Sequence, residues 1–389
     1  MEHGGIIESF FLIFTGSALI ATLALYARQA LIVGYIVLGL LLGPDGLGWV
    51  TDPHLLQQIS DIGIMFLLFL LGIDLMPEQM LKMFGEAVGV TLASSLTFLG
   101  LGYGIALLTG FGGTEAWLIG AAAMFSSTII GLKLLPTTAL HHRHTGQVVI
   151  SILLIQDLIA IVILLLIEGS RAGGDPMTAI ARNLVALPLL LFGAILFQRL
   201  VLARLMERFD QIQEYLFLLT IGWCLGVAQL AHAVGLSHEI GAFIAGVALA
   251  SNPIALVIED RLKPLRDFFL ILFFFSLGAS FDLEGVGEVW VPALLLAGVM
   301  LLAKPLVFMG LLRTAHEKRF LSLEIGVRLG QISEFSLLIA VVATQVGVIG
   351  ERAGNVIQLA TLVTFIASSY YIVMRYRTPI AVSDRLRQD

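Results

Sequence analysis

Asp157 follows Gln156 in the middle of an apolar run, with Ile152-Leu153-Leu154-Ile155 before the pair and Leu158-Ile159-Ala160-Ile161 after it. The carboxylate lies about eleven residues, or ~16 Å, from either end of that run. An aspartate at the centre of a membrane helix costs ~2.5–3.5 kcal/mol on insertion scales, and that cost needs a reason. A carboxylate in hydrocarbon must be neutralised, and a proton or a monovalent metal cation can each do so. Asp157 therefore suits the exchange of one for the other; a structural ion pair is the competing reading. Gln156 adds an amide carbonyl without adding charge, directed either at a bound ion or at a neighbouring helix.

Lys304 lies about twelve residues into another apolar run, ~18 Å deep, where its stem is too short to reach water. It reads either as a counter-charge for a core carboxylate or as a group that gives up a proton when ions bind. Two further runs are interrupted by polar clusters. Gly120 to Pro136 carries Ser126, Ser127, Thr128, Gly131 and Lys133; Gly326 to Ser336 carries Arg328, Gly330, Gln331, Ser333, Glu334 and Ser336. Unwound backbone at membrane depth is tolerated only against protein or a wet cavity, so both clusters point to a substrate site. The competing reading is a pair of small-residue packing helices. Arg328 and Glu334, six apart on an interrupted helix, are expected to neutralise backbone dipoles. Asp61 is placed in a vestibule and Asp74 at a solvated span end. His141, His142 and His144 around Arg143 have poor spacing for a metal; a solvated loop is the default and pH sensing the alternative.

These groups need a membrane fold to position them. The 389 residues are 58% hydrophobic and 13% charged, with a mean hydropathy of +0.97. Soluble domains carry about 25% charge, so soluble enzymes and nucleic-acid-binding proteins are excluded. The single cysteine, Cys224, allows no intrachain disulfide, and the opening Met1-Glu2-His3-Gly4-Gly5 lacks the basic region of a secretory signal. A span takes ~20 largely apolar residues. Thirteen fit, near 6–26, 29–43, 55–74, 83–108, 115–135, 146–167, 176–198, 212–233, 238–251, 264–282, 288–312, 321–346 and 353–375. One set of alternate loops with the C-terminus holds seventeen of the 22 basic residues, and the opposite set only Arg171, Arg182 and Arg352. That asymmetry places the N-terminus outside and the C-terminus in the cytoplasm.

The chain also repeats itself. Gly34-Tyr35-Ile36-Val37-Leu38-Gly39 resembles Gly241-Ala242-Phe243-Ile244-Ala245-Gly246, 207 residues on. Phe69-Leu70-Leu71-Gly72 and Phe275-Ser276-Leu277-Gly278 lie 206 apart, as do Ser126-Ser127-Thr128 and Ile332-Ser333-Glu334. The offset spans seven crossings, an odd number, so the halves run through the membrane in opposite directions. Inverted repeats are an architecture of alternating-access transporters, whose sites lie at paired interrupted segments. The expected fold is an all-α polytopic membrane protein. A channel would need filter loops or a continuous lined pore, and no nucleophile elbow or metal motif supports a membrane-embedded enzyme.

Several strings resemble the Kef-type branch of the monovalent cation/proton antiporter-2 superfamily, across essentially all thirteen spans. They are Gly34-Tyr35 through Gly43-Pro44, Phe69-Leu70-Leu71-Gly72-Ile73-Asp74-Leu75, Ser126-Ser127-Thr128, Gln156-Asp157, Gly241 to Gly246, Phe274-Phe275-Ser276-Leu277-Gly278 and Gly330-Gln331-Ile332-Ser333-Glu334-Phe335. The resemblance implies a sodium/proton-antiporter-like fold over residues 1–375 with two crossed discontinuous helices, working as a homodimer by an elevator motion. A dimerisation part would comprise about 6–74 and 212–282, a core part about 83–167 and 288–375, and a linker helix about 176–198. Proton and cation would share Asp157, with Gln156, Ser126, Ser127 and Thr128 around it and Lys304, Arg328, Ser333 and Glu334 as supporting groups. K+ is favoured over Na+ as the ion at Asp157. The Gln156 in place of a second acid implies electroneutral exchange in the inner membrane, without a cofactor; the alternatives are a Na+/H+ antiporter or a gated K+ efflux channel. Kef systems continue into a cytoplasmic nucleotide-binding domain, whereas here a short tail, 376–389, follows the last span; that domain is either naturally absent or cut away, so nucleotide gating is not carried over and a separate regulatory subunit is left open.

Overall fold

The computed structural model describes residues 6–27, 29, 31–50, 53–74, 77–133, 144–169, 176–209, 211–250, 255–281 and 285–378. The expectations for His141, His142, the side chains of Asp74, Lys133 and His144, and tail residues 379–389 lie outside the described residues. The regular elements are helices: α1 (Ile6–Tyr26), α2 (Leu31–Leu42), α3 (Pro53–Asp74), α4 (Pro77–Leu108), α5 (Gly113–Met124), α6 (Thr128–Lys133), α7 (His144–Gly169) and α8 (Pro176–Phe197). A π-helical turn, Gln198–Leu202, joins α8 to α9 (Ala203–Arg208). Then follow α10 (Gln213–Ala233), α11 (His238–Ala250), α12 (Ala255–Ala279), α13 (Val286–Thr314), α14 (Arg319–Arg328), α15 (Glu334–Gln345) and α16 (Glu351–Arg375). Among the described residues, six helices are long and apolar enough to cross a membrane, and shorter apolar helices such as α2, α11 and α15 accompany them. The protein is an all-α polytopic membrane protein.

Three differences from the expected spans have local causes. The seventh span continues to Arg208, because the π turn carries the helix past its apolar part. The tenth begins at Ala255 rather than near 264, since its first turns hold Glu259, Asp260 and Arg261 and a hydropathy run does not register charged helical turns. The fifth and twelfth are each two half-helices.

The chain forms two compact units: residues 1–17, 35–81 and 168–280, and residues 18–34, 82–167 and 281–389. In the first, α3 packs on α11 and α12, and α10 packs on α11. Glycines permit the closest approaches. A Cβ on Gly72 would lie 2.5 Å from the Phe243 carbonyl oxygen, and one on Gly278 2.0 Å from that of Ile36. Gly246 against Phe69 and Gly39 against Phe275 repeat these contacts from the opposite helices, so the α3–α11 and α2–α12 crossings are equivalents across the repeat. Both glycine strings thus mark backbone contact. Trp223 braces the same unit, stacking on Phe197 with centroids 5.5 Å apart and donating its indole N–H to the Ala245 carbonyl at 3.0 Å.

In the second unit α13 packs on α14 and α16, and α15 packs on α16 and α5. Its close approaches also repeat: a Cβ on Gly120 would meet the Leu99 carbonyl oxygen at 2.5 Å, and one on Gly326 that of Pro305 at 2.7 Å. Both partners are 206 residues apart. The two half-helix pairs are therefore held alike against α4 and α13.

Candidate functional site

Each interruption is made by a serine that starts a new helix. Phe125 leaves α5 in an extended conformation (φ −75°, ψ 149°). Ser127 then accepts the Ile130 N–H at 3.1 Å, capping α6. At the second interruption Ser333 accepts the Phe335 N–H at 3.1 Å and caps α15. A serine cap contributes about 0.5–2 kcal/mol relative to alanine. The two caps are 206 residues apart in sequence and perform the same task.

Side chains from neighbouring helices satisfy the backbone between the half-helices. Gln156 accepts the Ser126 N–H at 3.0 Å and donates to the Met124 carbonyl at 3.3 Å. At the equivalent place Thr364 accepts the Ile332 N–H at 3.0 Å. The Ser126 hydroxyl donates to the Leu329 carbonyl at 2.9 Å, tying one interruption to the other. Gln331 donates to the Arg328 carbonyl at 2.9 Å and to that of Ser127 at 3.4 Å, and accepts from Ser368 at 3.0 Å. Ser126, Ser127, Gln156, Gln331 and Ser333 are each fully buried. Of the two readings for Gln156, these contacts are those of a helix-bracing amide.

The charges divide the ends of the half-helices between them. Lys304, fully buried, donates its ammonium to the Phe125 carbonyl and, at 3.0 Å, to that of Gln331. Those oxygens follow the C-terminal ends of α5 and α14. The Lys304 ammonium also stands 5.4 Å from the Phe98 ring centroid. Glu334 accepts the Thr128 N–H at 3.1 Å, so a carboxylate on the first turn of α15 also faces the start of α6. A helix end carries about half an elementary charge, positive at the N-terminus and negative at the C-terminus. One cation at two C-terminal ends and one anion at two N-terminal ends therefore leave the crossing close to neutral.

Asp157 sits beside this arrangement on α7, 2% exposed. The Thr128 hydroxyl donates to its carboxylate, 3.3 Å from Oδ2 and 3.5 Å from Oδ1. Thr128 thus touches both carboxylates, Glu334 through its N–H and Asp157 through its hydroxyl. Two expectations change in detail. Lys304 is bonded to carbonyls rather than to a carboxylate, because the helix ends expose acceptors at its depth. Arg328 binds Glu324, one turn earlier on α14, at 2.9 Å, and the Arg377 carbonyl at 3.0 Å.

Sequence reasoning passed over Phe98, Phe125 and Thr364 and gave Gln331 no separate role. The 206-residue offset was the signal: it pairs Phe98 with Lys304, Phe125 with Gln331, and Thr128 with Glu334. Asp61 is half-buried on α3 in the other unit and is not among the residues gathered here.

Residues 12–374 match the family described as sodium/hydrogen exchanger, transmembrane. The chain is 27% identical over 353 residues to the iron transporter MagA of Paramagnetospirillum magneticum, covering 89% of this chain and 80% of that one. It is 29% identical over 387 residues to the glutathione-regulated potassium-efflux system protein KefC of Salmonella schwarzengrund. That match covers 97% of this chain but spans 62% of the length of KefC. Among solved structures, the sodium proton antiporter MjNhaP1 of Methanocaldococcus jannaschii superposes with a TM-score of 0.67 at 17% identity, over 94% of this chain and 95% of the other. Its helices, its two interruptions and the match over nearly all of its length agree, and the chain belongs to the sodium/hydrogen exchanger transmembrane family.

Proposed function

We propose that the protein exchanges one monovalent cation, K+ ahead of Na+, for one H+ at Asp157. The observation that carries this is the carboxylate itself: Asp157 is 2% exposed beside the first interruption and accepts from the Thr128 hydroxyl, where a proton or a monovalent cation can each neutralise it. A cation and a proton then compete for one carboxylate, and exchange is one for one. Thr128 assists. Its hydroxyl has one donor and two acceptor positions, so it can donate to an empty carboxylate and turn a lone pair to a bound cation. Ser126 and Ser127 hold the interruption, and Gln156 braces it from α7. The core part (83–167 and 288–375) would carry this site as an elevator past a dimerisation part (6–74 and 212–282), with 176–198 as linker, in an inner-membrane homodimer with its N-terminus outside.

The test is exchange in proteoliposomes, with K+, Na+, Li+ or choline outside and a pH dye inside. K+-driven proton flux above Na+-driven flux is expected, insensitive to an imposed membrane potential. Each net charge moved would otherwise feel ~2.3 kcal/mol per 100 mV. Na+ preference would make the protein a Na+/H+ antiporter, and voltage-dependent exchange would refute the one-for-one ratio.

A further inference from the structure

The helix Pro176–Arg208 keeps one narrow stripe inward: Ala194, Gln198, Leu202 and Met206, spaced by fours, are each at most 5% exposed. In an unbroken α-helix a four-residue repeat drifts ~40° around the axis at every step. The π turn at Gln198–Leu202, closed by the Ala203 N–H on the Gln198 carbonyl, adds a residue to the turn and offsets that drift. The outward side is corrected too. Arg199 and Arg204 would stand about 140° apart on a regular α-helix. Across the wider turn they approach one side, and Arg208 follows one α-helical turn after Arg204.

All three arginines are exposed, and none is ion-paired among the described residues. Glu207 is exposed among them, and Asp210 follows in sequence. The Arg208 guanidinium lies 5.8 Å from the Phe209 ring centroid. Toward the middle of the span, Leu189, Phe192 and Leu196 are 68%, 65% and 46% exposed, so apolar chains must cover them. A stripe of hydrocarbon contact that ends in a group of guanidinium donors has the two-part chemistry of a phospholipid. Guanidinium matches a phosphate with paired hydrogen bonds, and arginines at the cytoplasmic end of a span meet the anionic leaflet.

We propose that Arg199, Arg204 and Arg208, gathered by the π turn, bind the phosphate headgroup of an anionic phospholipid whose acyl chains lie along Leu189, Phe192 and Leu196.

The purified protein is offered phosphatidylglycerol, phosphatidylcholine or inorganic phosphate in detergent, and bound molecules are counted by native mass spectrometry. Phosphatidylglycerol is expected to be retained over phosphatidylcholine, with no retention of inorganic phosphate. The triple variant R199Q/R204Q/R208Q should lose phosphatidylglycerol retention about tenfold, and R204Q should be the most damaging single change. The control R313Q/K318Q/R319Q removes as many exposed basic residues elsewhere and should retain it. Equal retention of the two phospholipids, equal loss in control and triple variant, or retention of inorganic phosphate to the same extent would overturn the site. Melting in phosphatidylcholine micelles reports folding; if the triple variant is unfolded, R204Q alone decides, and unchanged retention there overturns the proposal.

Discussion

The interruption at Ser126–Thr128 and the one at Ile332–Glu334 occupy equivalent places in the two repeats, yet their charges are unequal. Both are capped by a serine, both have an orphan N–H taken by a helix alongside, and both rest on a glycine contact. The second repeat carries Lys304 and Glu334 where the first has Phe98 and Thr128. The first repeat instead carries Asp157, and Thr364 stands 207 residues after it. One ammonium and one carboxylate serve the helix ends of both halves, because the crossing brings like ends within reach of a single side chain. The other repeat holds the buried carboxylate at which exchange is proposed.

The sharpest test of the inequality sets Asp157 against Thr364. D157N should abolish cation-dependent proton flux while the melting temperature stays near that of the parent, since asparagine keeps the shape but neither releases a proton nor binds a cation strongly. T364V strands the Ile332 N–H at a cost of about 1–3 kcal/mol and should lower melting while flux persists. Robust flux in D157N, or complete loss in a folded T364V, would make the repeats functionally alike.

Lys304 comes next. K304Q removes the charge from two buried carbonyls and should destabilise by about 1–3 kcal/mol for each acceptor left unsatisfied, with measurable flux remaining. A variant with parental melting and altered proton coupling would instead make Lys304 a proton carrier.

The pseudo-symmetry allows a smaller, more specific effect. Exchanging the repeats exchanges the Phe125 and Gln331 carbonyls, so an ammonium placed at position 98 should approach the same pair. F98K/K304F should therefore regain part of the melting temperature lost in K304F. No recovery, with F98K alone well tolerated, would show that the two halves do not superpose closely enough at these positions.

The serine caps give the smallest expected difference. S127A and S333A should each cost about 0.5–2 kcal/mol, measured by thermal unfolding in detergent, and by similar amounts. A cost confined to one of them would break the equivalence of the two interruptions.

Much of this molecule was legible along the chain. Hydropathy runs marked the helical spans, the repeat offset paired the two interruptions, and the charges at positions 157, 304, 328 and 334 stood out because hydrocarbon tolerates few. Partner choice was less legible. The sequence leaves Gln156 facing either a bound ion or a neighbouring helix, and only the fold shows its amide joined to Ser126 and Met124. For Arg328 the fold adds Glu324, one turn earlier on the same helix, a partner the sequence analysis did not name. The π turn left no hydropathy signature, because adding one residue to a turn leaves the composition unchanged.

The sequence by itself determined that this is a helical membrane protein built from two inverted halves, with polar interruptions and a carboxylate deep in one span. Those features follow from the cost of putting polar groups in hydrocarbon, which acts residue by residue and can be read locally. Only the tertiary structure decided that Lys304 joins the Phe125 and Gln331 carbonyls, that Glu334 reaches the Thr128 N–H, and that Thr128 touches both carboxylates. A helix end exposes its acceptors or donors whatever its side chains are, and the side chain that answers them depends on which helices cross there.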